Sequence, residues 1–179
     1  MTGQIGLFFG STTGRTATVA QQIKQALDAA YAPPGEELVE MFDLAEYYLA
    51  DAAAFDRLIL GAPTWNVGQL QRDWETAIDE LDELDLHGVQ AALFGLGDQV
   101  GYPETFGDAL FFVADRLRSR GATLVGLWPV TGYDFSGSWA VEEGHFLGLM
   151  LDEDNQPELT APRLADWLAQ LAAEFALQH

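Results

Sequence analysis

Short apolar segments alternate with longer segments of helical periodicity along most of this chain. Apolar runs of this length are typical of strands that are buried on both faces of a parallel sheet. They predict strands near residues 4–9, 38–42, 57–61, 90–95 and 123–128. The helical pattern predicts helices near residues 16–31, 44–49, 72–81, 106–119 and 162–177. Strands that alternate with helices predict an α/β fold, in which helices cover both faces of a doubly wound parallel sheet.

One stretch near the end of the chain breaks this alternation. Glycine and aromatic residues are frequent from Pro129 onwards, and an apolar run then resumes before an acidic turn. An excursion of about twenty residues is long enough to have a function of its own. We therefore expect an insertion, over approximately residues 129–148, that interrupts the last strand. A chain of 179 residues with 49% apolar residues suits one core and is short for two, so we expect residues 1–179 to form one domain.

The loop after the first predicted strand combines glycine, hydroxyl residues and a single cation just before a helix. Its residues are Gly10, Ser11, Thr12, Thr13, Gly14, Arg15 and Thr16. Free backbone N–H groups and the positive end of the helix dipole favour a phosphate at such a position. The loop lacks the lysine of a nucleoside-triphosphate P-loop and is one residue shorter, which favours a terminal monophosphate. An ordinary capped turn would use the same residue types, because serine and threonine favour helix N-termini.

The loops after the third and fourth predicted strands are further candidates, because ligands of doubly wound sheets bind beyond the carboxyl ends of the strands. The first of these loops contains Pro63, Thr64, Trp65, Asn66, Val67 and Gly68. The second contains Gly97, Asp98, Gln99, Val100, Gly101 and Tyr102. Trp65 and Tyr102 can enclose a flat ring between them, and partial core packing is the alternative for each. For Trp74, on the following helix, we expect a core position.

The charge balance is strongly acidic, with 28 Asp and Glu residues against 8 Lys and Arg residues. Such a surface repels nucleic acid and anionic membranes and attracts a basic protein. Between Arg72 and Arg116 there is no lysine or arginine, and this one-sided segment favours attraction of a basic partner. Solubility or adaptation to a salty cytoplasm is the alternative explanation.

The sequence contains no cysteine, which excludes disulfides, thiol nucleophiles and thiolate metal sites. Its three histidines are scattered along the chain, so we expect no histidine metal cluster. We expect no signal peptide at Met1–Gln4, no segment that crosses a membrane, and a cytoplasmic location.

Taken together, the three loops resemble those of the flavodoxin family, specifically its long-chain class. The hydroxyl-rich loop resembles the family's phosphate loop, and residues 63–68 and 97–102 resemble its two flavin loops. The insertion and the stretch at 151–160 resemble the feature that defines the long-chain class. The resemblance implies a five-stranded parallel sheet of order 2-1-3-4-5. It also implies a low-potential, one-electron carrier that binds FMN without a covalent bond and has no catalytic residues.

The resemblance also assigns roles to individual residues. The phosphate would be held by Ser11, Thr12, Thr13, Gly14, Arg15 and Thr16. The isoalloxazine would lie between Trp65 and Tyr102. The first flavin loop, which carries Trp65, would consist of this residue together with Pro63, Thr64, Asn66, Val67 and Gly68. Gly97, Asp98 and Gln99 would meet the pyrimidine edge, largely through backbone groups, and Asp154 would lie near the ribityl side or the rim. Arg15 departs from the family pattern, which usually has a smaller polar residue or lysine there.

The resemblance implies basic redox partners: a ferredoxin–NADP reductase as donor or acceptor, photosystem I, or other enzymes that use ferredoxin. We expect a monomer. One alternative is an FMN-dependent NAD(P)H:quinone reductase on the same fold, which would need an open pocket over the flavin. Another is an acidic binding module without a cofactor. A signalling receiver domain is excluded, because Phe9-Gly10 and Ala62-Pro63-Thr64 stand where that class needs its acidic residues.

Overall fold

A parallel sheet lies at the centre of the structure, which is a computed structural model that describes residues 4–179. Its strands are β1 (Ile5–Phe9), β2 (Val39–Asp43), β3 (Arg57–Gly61), β4 (Gln90–Leu96), β5 (Thr123–Val125) and β6 (Leu149–Leu151). The order is β2-β1-β3-β4, and both β5 and β6 pair with β4 at the far edge. Residues 1–3, to which the expectation about a signal peptide refers, lie outside the described part.

The last position in the sheet is occupied by two short strands in place of one. β5 pairs with Gln90–Ala92 of β4, and β6 pairs with Phe94–Leu96, both in parallel register. The chain leaves the sheet at Gly126, whose φ of 71° favours glycine. The sequence therefore predicted an interrupted last strand correctly, and the order 2-1-3-4-5 holds if β5 and β6 count as one strand.

The boundaries of the insertion differ from the prediction. The predicted last strand ran to Trp128, but β5 ends at Val125, so the insertion begins at residue 126. It contains a small antiparallel sheet of Trp128–Pro129, His145–Phe146 and Val141–Glu142, in that order. Trp128 thus pairs within the insertion and does not extend the central sheet.

Helices cover both faces of the sheet. They are α1 (Arg15–Tyr31), α2 (Arg72–Ala77), α3 (Asp108–Ser119) and α4 (Thr160–Glu174), with 3₁₀ segments at Leu49–Ala54, Ile78–Glu83 and Pro157–Leu159. The apolar residues of α1 and α4 are buried on one face of the sheet, and those of α2 and α3 on the other. None of these helices, within residues 4–179, is long and apolar enough to cross a membrane.

One predicted helix, at residues 44–49, is wrong. The side-chain carboxylate of Asp43 accepts the N–H of Ala45, and the backbone carbonyl of Asp43 accepts the N–H groups of Glu46 and Tyr47. These bonds close a turn directly after β2, and a 3₁₀ segment begins only at Leu49. An aspartate that bonds its own following backbone competes with helix formation in this way.

A cleft between three loops

A cleft with a volume of about 430 Å³ opens at the carboxyl ends of β1, β3 and β4. Its lining comes from the three loops that the sequence singled out and from the turn after β6. The lining residues are Thr12, Thr13, Arg15, Thr16, Pro63, Thr64, Trp65, Asn66, Leu96, Gly97, Asp98, Tyr102, Glu153 and Asp154. The volume lies within the range of small-molecule sites, and most of the residues predicted for a site contribute to it.

The hydroxyl-rich loop is shaped by Ser11 and Gly14, which do not line the cleft themselves. Ser11 Oγ accepts the N–H of Gly14 at 3.2 Å and that of Ala17 at 3.3 Å. Gly14 has a φ of 88°, a value that favours glycine, and α1 begins immediately after it at Arg15. The helix has 17 residues, and its first two, Arg15 and Thr16, line the cleft, where the first N–H groups of a helix lack partners within the helix.

Gln71 supports this loop from below, and sequence reasoning missed it. It is buried, and its Nε2 donates to Thr12 Oγ1 at 3.0 Å. Its Oε1 accepts the N–H groups of Asp73 and Trp74, so the same side chain caps α2. A Cβ on Gly10 would collide with Gln71, which explains the glycine at the end of β1. Nothing in the local sequence around Gln71 indicates its contact with Thr12, because the two residues lie 59 positions apart in the chain.

The second loop forms a short antiparallel ribbon between Thr64–Trp65 and Gln69–Leu70. Asn66, at its turn, has a φ of 47°, a conformation that asparagine tolerates better than most residues. Its Nδ2 donates to Gln69 Oε1 at 3.0 Å, and Thr64 Oγ1 accepts the N–H of Ala109 from α3. The ribbon is therefore fixed at both ends. Such short strands carry no periodic pattern, so the sequence predicted only a loop here.

Val67 and Gly68 complete this turn but do not line the cleft. Val67 is 70% exposed. Gly68 has a φ of 75°, and a Cβ there would meet the Asp108 carboxylate at the start of α3. Trp74, by contrast, is fully buried and donates from Nε1 to the carbonyl of Gly61, as expected for a core residue.

The third loop is held by its own carboxylate. Asp98 Oδ1 accepts the N–H of Val100 at 3.1 Å and that of Gly101 at 2.7 Å. The Gly101 N–H and the Asn155 side chain stabilise the charged form, which holds the pKa of Asp98 below its ordinary value. Tyr102 follows this turn and lines the cleft on the opposite loop from Trp65.

Gln99, which was also predicted for the site, is 3% exposed and does not line the cleft. Its side-chain amide donates to Asp152 Oδ2 at 2.7 Å, and its backbone N–H donates to the same oxygen at 3.1 Å. The backbone N–H of Gln99 is thus already bonded, while Gly97 and Asp98 remain at the cleft.

An ion pair joins the first loop to the turn after β6. Arg15 Nη1 lies 2.7 Å from Asp154 Oδ1, and both side chains are about half exposed. The hydrogen bond and the charge of Asp154 raise the pKa of Arg15. The acidic partner of Arg15 was not predicted, because the two residues are far apart in the chain.

A family model described as Flavodoxin matches residues 7–167 of the chain. The flavodoxin of a Picosynechococcus species is 49% identical over 174 residues, which cover 97% of this chain and 99% of that protein. The chain belongs to the flavodoxin family. Flavodoxin 1 of Escherichia coli is 43% identical over 175 residues, covering 97% and 96% of the two chains.

Solved flavodoxin structures agree with this assignment. The flavodoxin of Fusobacterium nucleatum bound to flavin mononucleotide superimposes with a TM-score of 0.89 at 30% identity, covering 97% of this chain and 99% of that one. Named flavodoxins are electron-transfer proteins and not enzymes. This chain therefore has the flavodoxin fold, and the cleft lies between three of its loops.

The donor groups of the cleft fit FMN. Threonine hydroxyls and the start of α1 offer donors to a phosphate, and Arg15 adds one positive charge. Trp65 and Tyr102 offer aromatic surface from two loops, and Gly97 and Asp98 line the cleft between them. A phosphate, a flat ring and a polar ring edge would each find suitable groups.

Proposed function

We propose that this flavodoxin carries single electrons between redox proteins by means of a non-covalently bound FMN. The observation that carries the proposal is the cleft at the carboxyl edge of the sheet, in a chain of the flavodoxin family. Bound FMN supplies the redox chemistry, and the protein supplies binding, orientation and charge. An NAD(P)H:quinone reductase is not favoured, because the named relatives are carriers.

Individual roles within the cleft form part of this proposal. The phosphate is bound by the hydroxyl groups of Thr12, Thr13 and Thr16, with Arg15 beside them, while Ser11 and Gly14 fix the loop. Trp65 and Tyr102 flank the ring system. Pro63, Thr64, Asn66, Val67 and Gly68 form the wall that carries Trp65, and Gly97 and Asp98 meet the pyrimidine edge, with Gln99 behind them. Asp154 covers the ribityl side through its ion pair with Arg15.

The acidic residues that line the cleft are expected to lower the reduction potential of a bound flavin. They are Asp98, Glu153 and Asp154. Negative charge close to the flavin opposes the addition of an electron, because like charges repel more strongly where water is partly excluded. We therefore infer a low potential, to which these carboxylates contribute together with desolvation and stacking.

We further propose basic redox partners, with a ferredoxin–NADP reductase as donor or acceptor and photosystem I or other ferredoxin-using enzymes as further partners. The net charge of −20 supports a basic docking face on them and opposes binding to nucleic acid or to anionic membranes. The protein would act as a monomer in the cytoplasm. The interrupted last strand supports a single domain of the long-chain class over residues 1–179.

Comparison of FMN with riboflavin tests the assignment of the cleft. We expect protein freed of flavin to quench the fluorescence of one equivalent of FMN. Riboflavin lacks the phosphate, so we expect it to bind at least about a hundredfold more weakly. Equal affinity for the two flavins would contradict a phosphate site at residues 11–16, and failure to bind either would contradict the proposed function.

A further inference from the structure

Asp152 is a fully buried carboxylate that lies directly behind the third loop. It follows β6, and four neutral N–H groups from two residues surround it. Gln99 donates from its backbone and from Nε2 to Oδ2, at 3.1 and 2.7 Å. Asn155 donates from its backbone to Oδ1 at 3.0 Å and from Nδ2 to both oxygens, at 3.0 and 2.9 Å. A buried carboxylate is tolerated when its lone pairs are satisfied in this way.

These bonds continue to both sides of the carboxylate. The Asn155 Nδ2 also donates to Asp98 Oδ1 at 2.8 Å, and Asp98 lines the cleft. On the other side, Gln99 Oε1 accepts the backbone N–H of Asp134, in the insertion, at 2.6 Å. Asp152 is thus the centre of a network that connects the third loop with the insertion and with the turn after β6.

We propose that Asp152 is a positioning residue for the flavin ring, acting through Gln99 and Asp98. The inference rests on the proposed function, because it assumes that the backbone at residues 97–98 meets the ring. The backbone N–H and the side-chain Nε2 of Gln99 both donate to one carboxylate oxygen, which fixes the backbone and the side chain of this residue together. The N–H of Gly97 also donates to the carbonyl of Leu151 at 3.0 Å, so the loop leaves β4 in one defined direction.

Only a carboxylate satisfies all of these donors. Oδ2 accepts from both donor groups of Gln99, Oδ1 accepts from the backbone N–H of Asn155, and the Asn155 Nδ2 is shared between the two oxygens. An asparagine at position 152 would place its own NH₂ group against donors in either orientation, because an amide has one acceptor oxygen where a carboxylate has two. The Asp152→Asn variant removes the charge and hardly changes the volume, so it isolates the hydrogen bonding.

The test compares Asp152→Asn with Asp166→Asn, a control in which the same chemical change is made at an exposed position on α4. We expect Asp152→Asn to weaken the binding of FMN and of riboflavin by the same factor, about tenfold or more, because the ring-facing loop is affected and the phosphate loop is not. We also expect both one-electron reduction potentials of the FMN-loaded variant to move away from the wild-type values. Asp166→Asn should match wild type in all of these measurements.

Two further variants keep the test decisive if Asp152→Asn folds poorly. Gln99→Ala removes the Nε2 donor to Asp152 and the acceptor of the Asp134 N–H, but it leaves the carboxylate and the backbone N–H of residue 99 in place. We expect it to cause a smaller change in the same direction. In the double variant Asp152→Asn/Gln99→Glu, the new NH₂ group faces a carboxylate, and residue 99 still accepts the Asp134 N–H. We expect the double variant to regain part of the lost flavin affinity.

Variants with lower thermal stability but unchanged flavin affinity and potentials would overturn the proposal, since Asp152 would then have only a structural role. A loss of FMN affinity with riboflavin binding unchanged would also overturn it, because the effect would then lie at the phosphate. If the wild-type protein binds no flavin at all, the proposed function is wrong. That outcome is seen in wild type alone and does not depend on the comparison of the variants.

Discussion

Among single residues, the aromatic pair that lines the cleft, Trp65 and Tyr102, matters most for the binding of a flat ring. Trp65 and Tyr102 stand on separate loops, each fixed by hydrogen bonds that do not involve the ring itself. An aromatic pair contributes stacking in addition to the apolar area that it buries, which makes these two residues the main expected source of ring affinity.

We expect Trp65→Ala to weaken FMN binding by about 2 kcal/mol, or roughly thirtyfold, because the stacked surface is lost. Fluorescence titration of flavin-free protein measures the change. Tyr48→Ala is the matched control, since Tyr48 is 73% exposed and does not line the cleft. Equal affinities for wild type and Trp65→Ala would show that Trp65 does not contact the ring.

The sequence predicted which residues face the cleft better than it predicted what holds them. Thr12, Trp65 and Tyr102 could be found because the carboxyl ends of parallel strands share one edge of a sheet. Gln71 and Asp152 could not be found, because their partners lie 59 and 53 positions away in the chain. A polar residue that is buried by distant contacts has the same local pattern as one in a solvated turn.

At the scale of elements, Asp28 connects α1 to β2. Its Oδ1 accepts the N–H groups of Leu38 and Val39, both at 2.9 Å, and Lys24 Nζ donates to its Oδ2 at 2.7 Å. Burial by itself would raise the pKa of Asp28, but the bonds from Lys24, Val39 and Leu38 lower it below its ordinary value. The negative charge of Asp28 is therefore stabilised in the folded protein.

We expect Asp28→Ala to lower the free energy of unfolding by about 2–3 kcal/mol at neutral pH, because it leaves two backbone donors without their acceptor. A carboxyl with a lowered folded pKa stabilises the fold above its unfolded pKa of about 4, and this contribution is lost as the pH falls through the folded value. Urea unfolding at several pH values should thus show the difference between wild type and variant shrinking below about pH 4. A difference that is independent of pH would contradict the ionic role of Asp28, and the exposed Asp166→Ala serves as control.

Helices and strands with a strong local pattern of apolar residues were predicted more accurately than those with a weak one. β1 and β3 are buried apolar runs, and their predicted positions agree with the structure within one residue. The helix predicted at residues 44–49 failed because Asp43 closes a turn there. The two-residue strands of the insertion, such as Val141–Glu142, are too short to show an alternating pattern, and only their partners define them.

At the scale of the whole molecule, charge is distributed unevenly. Arg116 Nη1 lies 2.9 Å from Asp79 Oδ1 and 3.0 Å from Asp82 Oδ2, so a cation that borders the acidic segment is itself bonded to carboxylates. The surface potential is therefore negative over this region, and it should attract a basic protein from a distance.

We expect electron transfer with a basic partner to slow steeply as salt is added. With a ferredoxin–NADP reductase in stopped-flow mixing, the second-order rate constant should fall by about tenfold or more between 10 and 300 mM ionic strength, because the Debye length shortens from about 30 Å to below 8 Å. A rate constant that does not depend on salt would contradict docking through the acidic surface and would leave solubility or salt adaptation as the explanation of the charge.

An anaerobic reductive titration of the FMN-loaded protein determines whether this chain carries one electron at a time. We predict two separate one-electron steps, the second at a strongly negative potential, and release of the FMN when the protein is acidified. A single two-electron step, with NAD(P)H as a competent direct reductant, would show that the protein is not a one-electron carrier and would indicate a reductase on the same fold.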